Sequence, residues 1–189
     1  MAGPVWLITG AQASGKSTVA DLLAQRFDRG VHVRGGQFYR WAVRGWVHFD
    51  GADQTEARRL LDLRYHLSAL VADEYAAAGF TTVVQDNIYG PDVARWLDSI
   101  RARPRYLVVL RPSVAVVEAR HDERRRQRGK VAYRGGYTAA LNDAHLAATP
   151  DVGLWLDTSA QTPGDTVDEI LARAADAMVR DEFAGTESS

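Results

Sequence analysis

Gly10-Ala11-Gln12-Ala13-Ser14-Gly15-Lys16-Ser17 is the stretch whose reading decides the fold of this chain. It matches the pattern G-x-x-x-x-G-K-[ST] in full. It follows a short apolar run, Val5-Trp6-Leu7-Ile8-Thr9, and leads into residues 16–27, where Val19, Leu22, Leu23 and Phe27 recur on one helical face. Strand, glycine turn and helix form the setting in which such a loop wraps its backbone N–H groups around phosphate oxygens. Lys16 then reaches the outer phosphates, and the Ser17 hydroxyl is offered to a magnesium ion. The expected nucleotide-binding residues are therefore Gly10, Ala11, Gln12, Ala13, Ser14, Gly15, Lys16, Ser17 and Thr18. Only two of the 23 basic residues are lysines, Lys16 and Lys130, and one stands where the loop needs it.

Outward from the loop, strand-like and helix-like segments alternate, the pattern of a parallel sheet with crossover helices. Strands are expected at 5–9, 31–34, 81–86, 106–110 and 153–157. Helices are expected at 16–27, at about 55–78 (Leu60, Leu63, Leu67, Leu70 and Val71 inward), at 90–100 (Val93, Trp96, Leu97 and Ile100 inward), after Ser113, and from Thr162 on, with Val167, Ile170, Leu171, Ala174 and Met178 inward. The fold class predicted is α/β: a three-layer P-loop NTPase fold, its five-stranded parallel sheet flanked by helices and an Arg-rich lid at about 120–140. One domain is expected over residues 1–182, with a flexible tail at 183–189.

The 189 residues carry a net charge of −1, with 46% apolar and 25% charged side chains. That balance gives no overall basic field for nucleic acid or an anionic membrane. Cysteine is absent, so disulfides and thiolate metal sites are excluded. With no 18-residue apolar run and no basic leader, the sequence reads as cytoplasmic. The five histidines show no paired ligand spacing, so zinc is not expected.

In open parallel sheets ligands bind beyond the carboxyl ends of the strands, and that rule selects the remaining candidates. Asp86 closes a strand and precedes Asn87; a carboxylate there suits magnesium or a substrate hydroxyl proton. Asp157 also closes a strand, but the Thr-Ser after it reads as a turn, giving a structural or nucleotide-edge role. Arg120 and Arg124 share a helix face within a basic run that continues through Arg125, Arg126, Arg128 and Lys130. Arginines closing over phosphates stabilise the charge spread in phosphoryl transfer. Arg34, Gln37, Phe38 and Trp41, near Tyr39, Arg40, Trp46 and His48, suit a polar, ring-containing substrate, with Arg64 aimed at the same cleft.

Together, the loop, the strand ending in Asp86, the strand followed by R-P-S and an arginine-containing helix, and the late strand G-L-W-L-D-T-S resemble the chloramphenicol-phosphotransferase-like and zeta-toxin-like branch of bacterial P-loop kinases, over roughly residues 4–180. The resemblance implies transfer of the γ-phosphate of ATP or GTP, with Mg2+, to a hydroxyl of a small molecule, sometimes an antibiotic. It also implies lid roles for Arg120 and Arg124. Such kinases often carry a base aspartate just after the second strand, where this chain has Gly35, Gly36 and Gln37; either Asp86 takes that role, or the base comes from elsewhere, or positioning alone suffices for a loose transition state. Two other functions fit the loop: a nucleotide-binding regulatory ATPase, and a polynucleotide 5′-hydroxyl kinase, the latter disfavoured by the charge balance.

Overall fold

The structure is a computed structural model and describes residues 1–47, 53–128 and 146–180. Strand β1 (Val5–Gly10) is buried along its whole length because it is the middle of the sheet. It pairs in parallel with β3 (Thr81–Gln85) on one side and β4 (Arg105–Leu110) on the other. Strand β2 (Gly30–Arg34) lies outside β3, and β5 (Leu154–Leu156) outside β4, giving the order β2-β3-β1-β4-β5. Strands covered on both faces need continuous apolar runs, as Val5-Trp6-Leu7-Ile8 and Leu107-Val108-Val109-Leu110 supply.

Alternation along the strands divides the core in two. Trp6, Ile8, Val83, Val108 and Leu110 pack with Val19 and Leu23 of α1 (Lys16–Ala24) and with Val167 and Ile170 of α6 (Pro163–Ala172). Leu7, Val84, Leu107 and Val109 face the other way, onto α3 (Gln54–Ala77) and α4 (Pro91–Ser99). The short α2 (Gly36–Trp41) follows β2, and α5 (Val114–Arg128) follows β4. The P-loop class read from the sequence is the class observed, and Val93, Trp96, Leu97 and Ile100 are all buried as expected.

Two expectations are corrected. On α3, Leu63 and Leu70 are 43% exposed. Leu60 is buried and Leu67 and Val71 pack against the core, but the buried face is made mostly of other residues: Ala57, Arg64, Ser68, Ala69, Ala72, Asp73 and Ala76. Small residues let the helix lie close to the sheet, and the polar members are bonded: Asp73 accepts from the backbone N–H groups of Arg101 and Ala102, and Ser68 from the Trp96 indole. The second correction is a sixth strand. Helix α6 stops at Ala172, a single turn α7 (Ala174–Ala177) follows, and β6 (Met178–Val179) pairs antiparallel with Arg105 and Tyr106 of β4. Met178 is thus a half-exposed strand residue, not an inward helical one. The cause lies in β5, which pairs only with Val108–Leu110 and leaves the start of the same β4 edge for β6 to cover.

A buried histidine ties the edge strand β2 to α1. His32 Nδ1 lies 3.1 Å from Asp21 Oδ1, while its Nε2 is buried with no hydrogen-bond partner among the described residues. Burial holds the His32 pKa below its ordinary value, and the hydrogen bond from His32 holds that of Asp21 below the usual carboxylate range. For a base with a lowered native pKa, the unfolded chain takes up the proton first. Stability from His32 is therefore complete above about pH 6.5 and declines as pH falls through its lowered native value. Asp21 adds loss in the same direction in the acid range. The urea midpoint of His32→Asn should fall less than that of the parent between pH 7.5 and 5.5; equal slopes would show that the pair does not matter to the fold.

Candidate active site

The loop between β1 and α1 has the backbone its sequence requires. Gly10 has φ 140° and Gly15 has φ 97°. A Cβ on Gly10 would also lie 2.2 Å from the Leu110 carbonyl oxygen. Ala13 takes a left-handed φ of 67°, a strained choice for a residue with a side chain and one that gathers at functional sites. No side chain caps the start of α1 and no acid stands in its first turn, so the positive end of its dipole faces the loop without a carboxylate of its own. The Lys16 side chain folds back over the loop and donates to the carbonyl oxygens of Gly10 (2.7 Å) and Ala11 (2.6 Å). Tyr89 also donates to Gly10 O (2.9 Å), and Thr9 bonds Ile88, so the segment after β3 holds the loop in place.

Beside the loop is a cavity of about 400 Å³, lined by Gly15, Thr18, Arg120, Thr158, Gln161 and Pro163 among others. Arg120 reaches it from α5 and donates to Ser14 O at 3.3 Å. Two buried hydroxyls on its wall, Ser14 Oγ and Thr158 Oγ1, have no hydrogen-bond partner among the described residues. Buried orphan hydroxyls are costly and mark where a ligand would bond. Thr158 lies in the strand-end segment the sequence reading selected but was read there only as part of a turn; Gln161 was missed, because the reading looked at strand-end charge and not at neutral polar groups. Arg124 lies on the same helix, with its side chain outside the described residues, as are 129–145, most of the expected lid. Asp157 accepts from the backbone and hydroxyl of Ser159, whose Oγ in turn accepts from Ser113 N. These bonds hold the Asp157 carboxyl below the usual range and fit the turn role.

The second cluster lies on the α3 side. Asp86 is fully buried, and Arg64 pairs with it, donating from Nε to Oδ2 at 2.9 Å and from a second guanidinium nitrogen to Oδ1. Oδ1 also accepts from Asn87 N at 2.6 Å. Tyr39 stacks on the Arg64 guanidinium, 4.3 Å from ring centre to Cζ, and packs against Trp46. The other sequence candidates divide. Phe38 is core, edge-on to Trp41, which is 65% exposed. Arg34 faces α1, where it lies 3.5 Å from Asp21, and is not drawn to Arg64. Gln37 is half-buried on α2, and His48 is outside the described residues. Of the two residues expected at the metal, Ser17 donates from Oγ to Gln85 Oε1 at 3.0 Å, while Asp86 is bonded to Arg64 on the α3 side.

Gly35 shows why no side chain stands just after β2. Its φ of −57° suits any residue, but a Cβ there would lie 1.9 Å from Asp86 Oδ2. The Asp86 carboxylate occupies that space. Gly35→Ala should therefore push Asp86 off Arg64 and lower stability by about 3 kcal/mol. The loss should be less than additive with Asp86→Ala, read from denaturation midpoints. Full additivity would mean that the two positions do not compete for space.

A protein-family comparison matches residues 5–139 to the family described as AAA domain (AAA_33), and the chain belongs to that family. The fold is shared with solved P-loop kinases. A sugar kinase from Janibacter sp. is 18% identical, with a TM-score of 0.64, over 94% of this chain and 96% of that one. The APS kinase of Mycobacterium tuberculosis, solved with AMPPNP and APS, is 16% identical, with a TM-score of 0.64, over 92% and 98%. Shikimate kinase from Acinetobacter baumannii, solved with shikimate, is 13% identical, with a TM-score of 0.60, over 93% and 94%. No curated protein matches the chain by sequence. No described helix is long and apolar enough to cross a membrane.

Proposed function

We propose that the protein is a kinase that transfers the γ-phosphate of ATP or GTP to a hydroxyl of a small molecule. The observation that carries the reading is the joining of the uncapped phosphate loop, with Lys16 over it, to a cavity of about 400 Å³ reached by Arg120. That volume is in the range of small-molecule sites. In this reading the loop N–H groups and Lys16 hold the β- and γ-phosphates, and the nucleoside end takes the cavity, where Thr158 and Ser14 regain bonds. Lys16, Arg120 and Arg124 balance the charge that spreads over the transferred group. The Ser17 hydroxyl, held by Gln85, offers a hard oxygen donor that suits Mg2+, which would supply charge neutralisation at the phosphates.

The acceptor side lies around the Asp86–Arg64 pair, between α2, α3 and the end of β3. Asp86 would receive or orient the acceptor hydroxyl, Arg64 would fix its carboxylate, and Tyr39 and the exposed Trp41 would offer ring faces. Asn87 and Gln37 border that region in sequence and remain acceptor-side candidates, whereas Arg34 is turned to α1. Kinases solved with shikimate and APS support a small polar acceptor. An antibiotic acceptor, as in the chloramphenicol-phosphotransferase-like branch, is the narrower form of the proposal.

The test is incubation with γ-labelled ATP or GTP, Mg2+ and a panel of sugars, sugar acids, cyclic polyols and hydroxylated antibiotics. Label on one of these compounds is expected. Nucleotide hydrolysis with no labelled acceptor would favour the regulatory ATPase. Salt-sensitive labelling of an oligonucleotide 5′ end would favour the polynucleotide kinase.

A further inference from the structure

We propose that Gln85 is the positioning residue for the metal side of this site and acts through the Ser17 hydroxyl; the proposal rests on the phosphate-loop reading above. Consecutive residues of a strand point to opposite faces. Val83 belongs to the core under α1, and Val84 to the core under α3. Gln85 therefore continues toward α1, and Asp86 toward α3. The contacts agree: Gln85 Oε1 accepts from Ser17 of α1, and Asp86 is paired with Arg64 of α3. The parallel register of Gln85 with Ile8 holds the amide beside the end of β1, where the loop begins.

A serine hydroxyl has one proton and two lone pairs. Giving the proton to Gln85 leaves the lone pairs turned to the loop, where a hard cation takes oxygen donors. The amide orients the hydroxyl without adding negative charge. No cluster of three or more acidic or histidine side chains that could hold a metal occurs among the described residues. A site made of neutral oxygens binds a free divalent ion weakly, so the ion enters with the nucleotide, whose phosphates supply the charge. Asp86, just after β3, is thereby kept for the other face.

The experiment measures affinity for a nonhydrolysable ATP analogue with Mg2+ and with EDTA, by calorimetry, in the parent, Gln85→Met and Gln85→Glu. It needs neither acceptor nor turnover. In Gln85→Met the strengthening of affinity by Mg2+ should shrink about tenfold, the size of one hydrogen bond to a charged site, while affinity in EDTA stays at the parental value. Gln85→Glu keeps the acceptor and adds charge, so the Mg2+ effect should grow. An unchanged Mg2+ effect in Gln85→Met overturns the proposal. If that variant does not fold, an Mg2+ effect in Gln85→Glu that fails to grow does the same. A parent that binds no analogue under either condition would overturn the phosphate-loop reading and this inference with it.

Discussion

Lys16→Ala should lower phosphoryl transfer by at least about a hundredfold, the loss typical of removing one preorganised donor from a developing negative charge. The ammonium is held over the loop by Gly10 O and Ala11 O, so it is in place before any phosphate arrives. In the structure Lys16 is buried, and its two bonds are part of the loop. The fold should nonetheless survive, because Gly10 O keeps its bond from Tyr89 and the Thr9–Ile88 bonds do not involve Lys16. Circular dichroism with nucleotide-dependent thermal shift and transfer kinetics would check both halves. Parental turnover in a folded variant would sink the loop assignment.

Asp86→Asn should act on stability and on turnover together. From the sequence, a strand-end carboxylate suggests a large loss of rate and a small loss of stability. The Arg64–Asp86 pair changes that expectation. The two side chains are 10% and 0% exposed, and a buried guanidinium that loses its carboxylate keeps its desolvation cost without compensation. A loss of about 3 kcal/mol is expected in urea unfolding. Turnover of the folded fraction should fall by about a hundredfold or more if the carboxylate also serves the acceptor hydroxyl. The double variant Arg64→Met/Asp86→Leu separates the two roles. An apolar pair should recover stability, as buried ion pairs replaced by packed side chains often do, yet it should not recover transfer. Near-parental transfer in either variant would remove Asp86 from the chemistry and leave it a structural anchor between β3 and α3.

The sequence alone determined the loop, the parallel sheet and its helices. Each is written in local patterns: a glycine-spaced octet between an apolar strand and a helix, continuous apolar runs for strands covered on both faces, and apolar recurrence on α4. The same local logic misjudged α3, because helical spacing marks a leucine stripe without saying whether alanines pack closer. It also missed β6, whose two residues have no strand signal of their own and are held by the edge that a short β5 leaves uncovered. At the site, strand-end position named Asp86 as a residue to examine but could not assign its partners. Which of two adjacent residues meets Ser17 depends on the face each presents, and that is fixed by the register of β3 against β1. The Arg64–Asp86 pair joins residues 22 apart across two elements, and it exists only because Gly35 leaves room for the carboxylate. Motifs carry the chemistry that backbone geometry alone can perform; the arrangement of side chains from separate elements around it is decided by packing.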